Sequence, residues 1–162
     1  MMRISEPVTM LTDYALAVAG AWFASSLMRM PHFRNASVKL WAIGFTTGGF
    51  AALVGGTYHG FALQFSPSVL RALWNITLVF IGLSGGFMVS GVLTSSISRT
   101  DESRVWLIGG VLLTVAGLAV QLTGYRSHLH FNHNDIYHVI QIGALYLFFR
   151  GAQLLQDRYS PR

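Results

Sequence analysis

Apolar residues run through this chain in five long blocks, each separated from the next by a short polar stretch. The blocks cover Pro7 to Met28, Val38 to about Gly60, about Ser68 to Ile97, Val105 to about Thr123, and Asp135 to about Leu155. A helix of about 20 mostly apolar residues crosses the hydrocarbon core of a bilayer, so each block is long enough for one span. The third is longer, and its LSGGF centre (Leu83–Phe87) is a place where it can bend, but it is too short to cross twice. The pattern predicts an all-α, polytopic transmembrane helical bundle of about five spans. Residues 1–162 form a single domain in which short connections make most neighbours antiparallel.

Composition points the same way. Hydrophobic residues make up 52% of the chain and charged residues only 10%, against about a quarter charged in a soluble domain; mean hydropathy is +0.50. The chain has no cysteine, which excludes disulfides, thiolate metal sites and cysteine nucleophiles. Its net charge of +5 resides mostly in the connections. Arg29, Arg34 and Lys39 follow the first span, Arg99 and Arg104 the third, and Arg150, Arg158 and Arg162 the last; Arg71 and Arg126 stand on the other side. By the positive-inside rule this places the N-terminus outside and the C-terminus inside, in the cytoplasmic membrane if the source is bacterial. It also accounts for the basic balance without nucleic acid. Glu6 and Asp13 sit where a signal peptide would need an apolar core, so the first block reads as a mature span. Three G-x-x-x-G pairs, Gly44/Gly48, Gly56/Gly60 and Gly82/Gly86, suit either close packing within the chain or a homo-oligomer through glycine-rich faces.

The polar residues of the spans gather at one level. Glu6 and Asp13 open the first, His59 closes the second, Trp74 and Asn75 come early in the third, Gln121 ends the fourth, and His133, Asn134, Asp135, His138 and Gln141 open the fifth. On this topology all five sets face the outer side. Ionisable groups at membrane depth are costly and mark functional sites by default. At about 100° per residue, Glu6, Thr9 and Asp13 share one helical stripe, and Asn134, His138 and Gln141 another. His133 is expected just ahead of the fifth helix, with Asn134 or Asp135 near its cap.

Imidazoles and carboxylates without a thiol suit zinc or another first-row metal. His59, His133 and His138 are the candidate metal ligands, with Asp13, Asp135, Asn134 and Gln141 as partners that orient them. Asp13 or Asp135 can serve as base toward a metal-activated water, with Glu6 supporting the face of the first helix. A site at headgroup depth suits a membrane lipid substrate. A second reading makes His59 and His138 axial ligands of a haem, with Trp74 and Tyr137 lining its pocket. A third treats the cluster as a structural or pH-sensing network of a non-catalytic sensor or partner subunit. His32, His128 and His130 read as loop or headgroup contacts.

Three stretches carry a family resemblance: SEPVTMLTD around Glu6 and Asp13, GTYHGF around His59, and NDIYHVIQ around His138. They resemble the membrane hydrolases that include alkaline ceramidases and adiponectin-type receptors. That resemblance implies a helical bundle holding zinc through one histidine of an early helix and two of an H-x-x-x-H on the last, cleaving a lipid amide or ester. His59 stands in the early position and His138 in the second position of the last pair. Asn134 stands where its first histidine would be, with His133 one residue before. Gly55 stands at the family's serine position, and the stretch LQFSPSVL offers no counterpart of its aspartate.

Overall fold

The computed structural model describes residues 3–95, 101–125 and 131–158. His128, His130, Arg99, Arg126 and Arg162, and the Ile97 end of the third block, lie outside them. Five helices follow one another: α1 (Pro7–Met28), α2 (Ala36–Phe61), α3 (Pro67–Thr94), α4 (Asp101–Thr123) and α5 (His133–Ala152), with a 3-10 turn (Pro31–Arg34) between α1 and α2. The all-α class predicted from the apolar blocks is therefore what the chain adopts, with helix bounds within a few residues of those blocks. α3 is one helix through its glycine-rich centre.

Three helices, α2, α3 and Glu102–Thr123 within α4, are long and apolar enough to cross a membrane by length and composition. α1 and α5 carry most of the polar residues and pack on each other, with α1 at the centre of the order. α1 packs on α2 and on α5, α2 on α3, and α4 on α5, and no comparable interface joins α3 to α4 among the described residues. The order in space is α3–α2–α1–α5–α4, an arc whose two ends leave a gap between α3 and α4.

Local chemistry sets the helix ends. Ser66 caps α3 ahead of Pro67, its Oγ accepting from Val69 N. α5 begins with a capping box: Asn132 Oδ1 accepts from Asn134 N at 2.8 Å, and Asn132 N donates to Asp135 Oδ2 at 2.7 Å. His133, expected ahead of the helix, is its first residue, because Asn132 takes the cap. α2 has no side-chain cap from its own Asn35. Asp157 supplies it from the far end of the chain, accepting from Ala36 N at 2.7 Å and Ser37 N at 3.0 Å.

The end of the bundle near Met28, Ala36 and Ala152 is packed shut. Phe23 stacks on Phe149 with ring centroids 4.9 Å apart and tilts against Phe45 at 5.6 Å, while Trp41 meets Phe45 and Phe148. Leu27, Val38, Ala42, Ala152 and Leu155 complete that core. Burying several aromatic rings there contributes packing that lipid tails cannot supply as specifically. The opposite end, where Glu6, His59 and His133 lie, is open.

Candidate functional site

At the open end the arc encloses a cavity of about 440 Å³, within the range of small-molecule pockets. All five helices line it: Asp13 from α1, Tyr58 and His59 from α2, Trp74 and Thr77 from α3, Gln121 from α4, and Asn134, Tyr137, His138 and Gln141 from α5. Most of the polar residues expected to converge do line it, but Glu6, His133 and Asp135 do not, and Asn75 is exposed on α3 outside the lining. Lining residues run from Tyr58 to Gly48 on α2, from Trp74 to Ser84 on α3 and from Asn134 to Leu145 on α5, ~15 Å along each axis. The polar groups cluster at the open end, and Leu16, Ala51, Ile81 and Leu145 give the remainder an apolar wall. Its lining includes both α3 and α5, and α3 and α4, the two ends of the arc, share no comparable interface among the described residues.

Asp13 is 5% exposed. It reaches this depth because α2 presents Gly55 and Gly56 opposite: a Cβ on Gly55 would sit 3.6 Å from Asp13 Oδ2, and one on Gly56 would sit 3.0 Å from Asp13 Cβ. Asp13 Oδ1 stands 3.3 Å from His138 Nε2. The other ring nitrogen, His138 Nδ1, is 3.1 Å from Thr12 Oγ1, which also donates to Thr9 O at 3.0 Å. Consecutive residues of α1 thereby hold both ends of one imidazole and fix the orientation of its ring. Asp13 Oδ2 makes no hydrogen bond among the described residues.

The other predicted acids are placed differently. Asp135 is wholly buried, and both of its oxygens are engaged: Oδ2 in the capping box, Oδ1 accepting from Thr9 Oγ1 at 2.8 Å. It does not line the cavity, and it ties α5 to α1. Glu6, at the mouth, sits 2.9 Å from His59 Nδ1 and is 46% exposed. The backbone reinforces that pair, since Ser5 N and Glu6 N donate to Gly60 O and His59 O.

The three predicted metal ligands do not assemble. His59 is occupied by Glu6 and His138 by Thr12 and Asp13, while His133 Nδ1 is buried without a hydrogen-bond partner. Among the described residues no three or more histidines, aspartates or glutamates stand together as a metal-holding group. As placed, the set does not fit the three-histidine zinc centre that the resemblance implies, and a haem axial pair would require His138 to release Thr12 or Asp13. Two amides of the polar cluster, Gln121 and Gln141 (the latter expected to orient a metal ligand), are open. Gln121 Nε2 donates to Asn134 Oδ1 at 2.6 Å, leaving Gln121 Oε1 buried without a partner, and Gln141 Nε2 is buried likewise. Thr12, Tyr58, Thr77 and Ser84 were missed at the sequence level. Only Thr12, beside Asp13, carried a signal that could have found it.

The glycine pairs resolve by location. Gly44 and Gly48 face Ser84 and Met88 of α3, and Gly56 and Gly60 face Tyr14 and Met10 of α1, whereas Gly82 and Gly86 have nothing within 4 Å. The first two pairs serve packing within the chain.

Among known proteins, the chain matches the model of a family of unknown function (DUF6962) over residues 8–105 and again over 86–157. No curated protein and no solved structure matches it.

Proposed function

Because the chain belongs to DUF6962, a family of unknown function, we propose its activity from the site itself: a membrane-embedded acid–base site acting on the polar end of a bilayer-dissolved amphiphile. The observation that carries this is the Asp13–His138 pair, nearly buried yet lining a cavity with an apolar wall. A carboxylate at membrane depth without a basic partner is costly, and packing alone gives no reason to keep one beside a void.

Hydrolysis of a lipid ester or amide is the reaction these groups suit. Asp13 Oδ2, the oxygen without a hydrogen bond, takes a proton from water; the resulting hydroxide attacks the carbonyl carbon. Gln141 Nε2 is a donor without a partner in the same wall and is the residue to bear on the developing oxyanion. Collapse breaks the C–O or C–N bond, and the proton held by Asp13 passes to the leaving group. His138, clamped by Thr12, positions Asp13. No step is routed through zinc, because the histidines do not gather around one point.

The test is release of fatty acid from a panel of neutral lipid esters and amides by the protein in nanodiscs, followed by mass spectrometry. Wild type should hydrolyse at least one class, and Asp13→Asn should lose about a hundredfold or more of that rate. No turnover across the panel, or equal turnover by the variant, would overturn the reading and leave the cluster as a structural network.

A further inference from the structure

The cavity has a charge character of its own. Among the described residues no lysine or arginine lines it, so a phosphate or carboxylate headgroup would meet no fixed positive charge from them and would lie near Asp13. Its two histidines are already committed, His59 to Glu6 and His138 to Asp13 and Thr12. Aromatic rings take the place of basic groups. Tyr58, Trp74 and Tyr137 come from three different helices. Tyr58 and Trp74 have ring centroids 5.4 Å apart with planes at 43°, and Tyr58 meets His59 edge-on at 5.2 Å. Rings set at angles to one another form a corner rather than a stack. Such corners, with a carboxylate nearby, recognise organic cations through ring quadrupoles and one countercharge.

We propose that the cavity binds a single-chain amphiphile with a cationic amine or quaternary ammonium head, the head lodged among Tyr58, Trp74 and Tyr137 beside Asp13 and the chain along the apolar wall. The gap between α3 and α4 gives such a molecule a route from the bilayer without crossing water. The head fits the polar end and the chain follows the apolar wall, within a lining that spans ~15 Å in all. This goes beyond the hydrolytic reading: it concerns what the cavity holds, and it stands whether or not a bond is broken.

The experiment is equilibrium binding of radiolabelled dodecyltrimethylammonium to the protein in phosphatidylcholine nanodiscs, with empty nanodiscs as background. Saturable binding should approach one per chain and should be displaced by unlabelled probe, but not by equal dodecanol or dodecyl sulfate. Trp74→Leu should weaken it about tenfold and Trp74→Phe much less. Asp13→Asn should weaken it at least as much as Trp74→Leu. Each variant is used only if its helical circular dichroism matches wild type, and the Trp74 pair decides the matter if Asp13→Asn does not fold. Equal displacement by dodecyl sulfate or dodecanol, or identical binding by Trp74→Leu and Trp74→Phe, would overturn the proposal. Cation-selective binding with no lipid turnover removes hydrolysis alone; turnover with no cation selectivity removes this inference alone.

Discussion

Two aspartates that look alike along the chain have opposite placements. Asp13 and Asp135 both lie near the start of an apolar helix, and both read along the sequence as candidate bases of one site. Asp135 is consumed by structure: one oxygen closes the α5 cap, the other ties to Thr9, and the side chain is completely buried. Asp13 faces a void with one oxygen unengaged. What separates them is a contact between residues 126 positions apart, Thr9 with Asp135, and single-sequence spacing carries no information about that. The capping box was half-legible, since an Asn three residues before an Asp is a known helix start. The candidate metal ligands stand apart for a related reason, because Glu6 and Thr12 hold the imidazoles that a metal would need. Opposite effects on stability should follow. Asp135→Ala leaves Thr9 Oγ and Asn132 N without their partner and should cost about 2–4 kcal/mol, whereas Asp13→Asn removes a charge beside a cavity and should cost less than about 1 kcal/mol. Reversible unfolding in mixed detergent, followed by circular dichroism, measures both; comparable losses would mean that Asp13 is structural too.

Helices here meet through what their neighbours lack. Gly20 of α1 faces the α2 backbone so closely that an added Cβ would lie 2.9 Å from Phe45 O and 3.0 Å from Gly49 Cα. Backbone atoms on both sides cannot swing away as a side-chain tip can, so Gly20→Ala should destabilise by about 1–3 kcal/mol. Gly82→Ala, into open space, should be neutral or stabilising by up to about 1 kcal/mol through helix propensity. A loss in Gly82→Ala comparable to that of Gly20→Ala would place another helix against α3. At the packed end, α2 depends on the chain's tail. Asp157 accepts from Ala36 N, Ser37 N and Ser37 Oγ, the last at 2.6 Å. Burial by itself would raise the Asp157 carboxyl, but those bonds and the nearby Lys39 outweigh it and hold it below its ordinary value of 3.8. A depressed pKa in the fold means that the cap contributes fully at neutral pH and is lost as pH falls through that lower value. The stability difference between wild type and Asp157→Asn should therefore be constant from pH 7 to about pH 5 and shrink below pH 4. A difference that grows with acidity would contradict the cap.

The whole molecule has two unlike ends, and its asymmetry was the most legible feature of the sequence. Apolar block length alone gives five helices, because in a bilayer the backbone must satisfy itself within each segment. The order of helices in space was not legible, since pairing depends on which glycine faces which neighbour, and neither was the gap between α3 and α4. Nor was the distinction between α2, α3 and α4, apolar enough to cross by themselves, and α1 and α5, whose polar stripes are sheltered between them. Charge completes the asymmetry. Arg29, Arg34, Lys39, Arg104, Arg150 and Arg158 stand at the packed end, where the acids are Asp101, Glu102 and Asp157; Arg3 and Arg71 stand at the cavity end. Lys and Arg in short connections are retained on the cytoplasmic side, so the charge bias predicts the packed end inside and the cavity mouth outside. A chain free of cysteine makes this directly measurable with single introduced thiols. Ser68→Cys, exposed at the start of α3, should react with a membrane-impermeant maleimide in intact cells. Gln156→Cys, exposed beyond α5, should react only once the membrane is permeabilised. The reverse labelling would turn the cavity toward the cytoplasm, so that its amphiphile would be drawn from the inner leaflet.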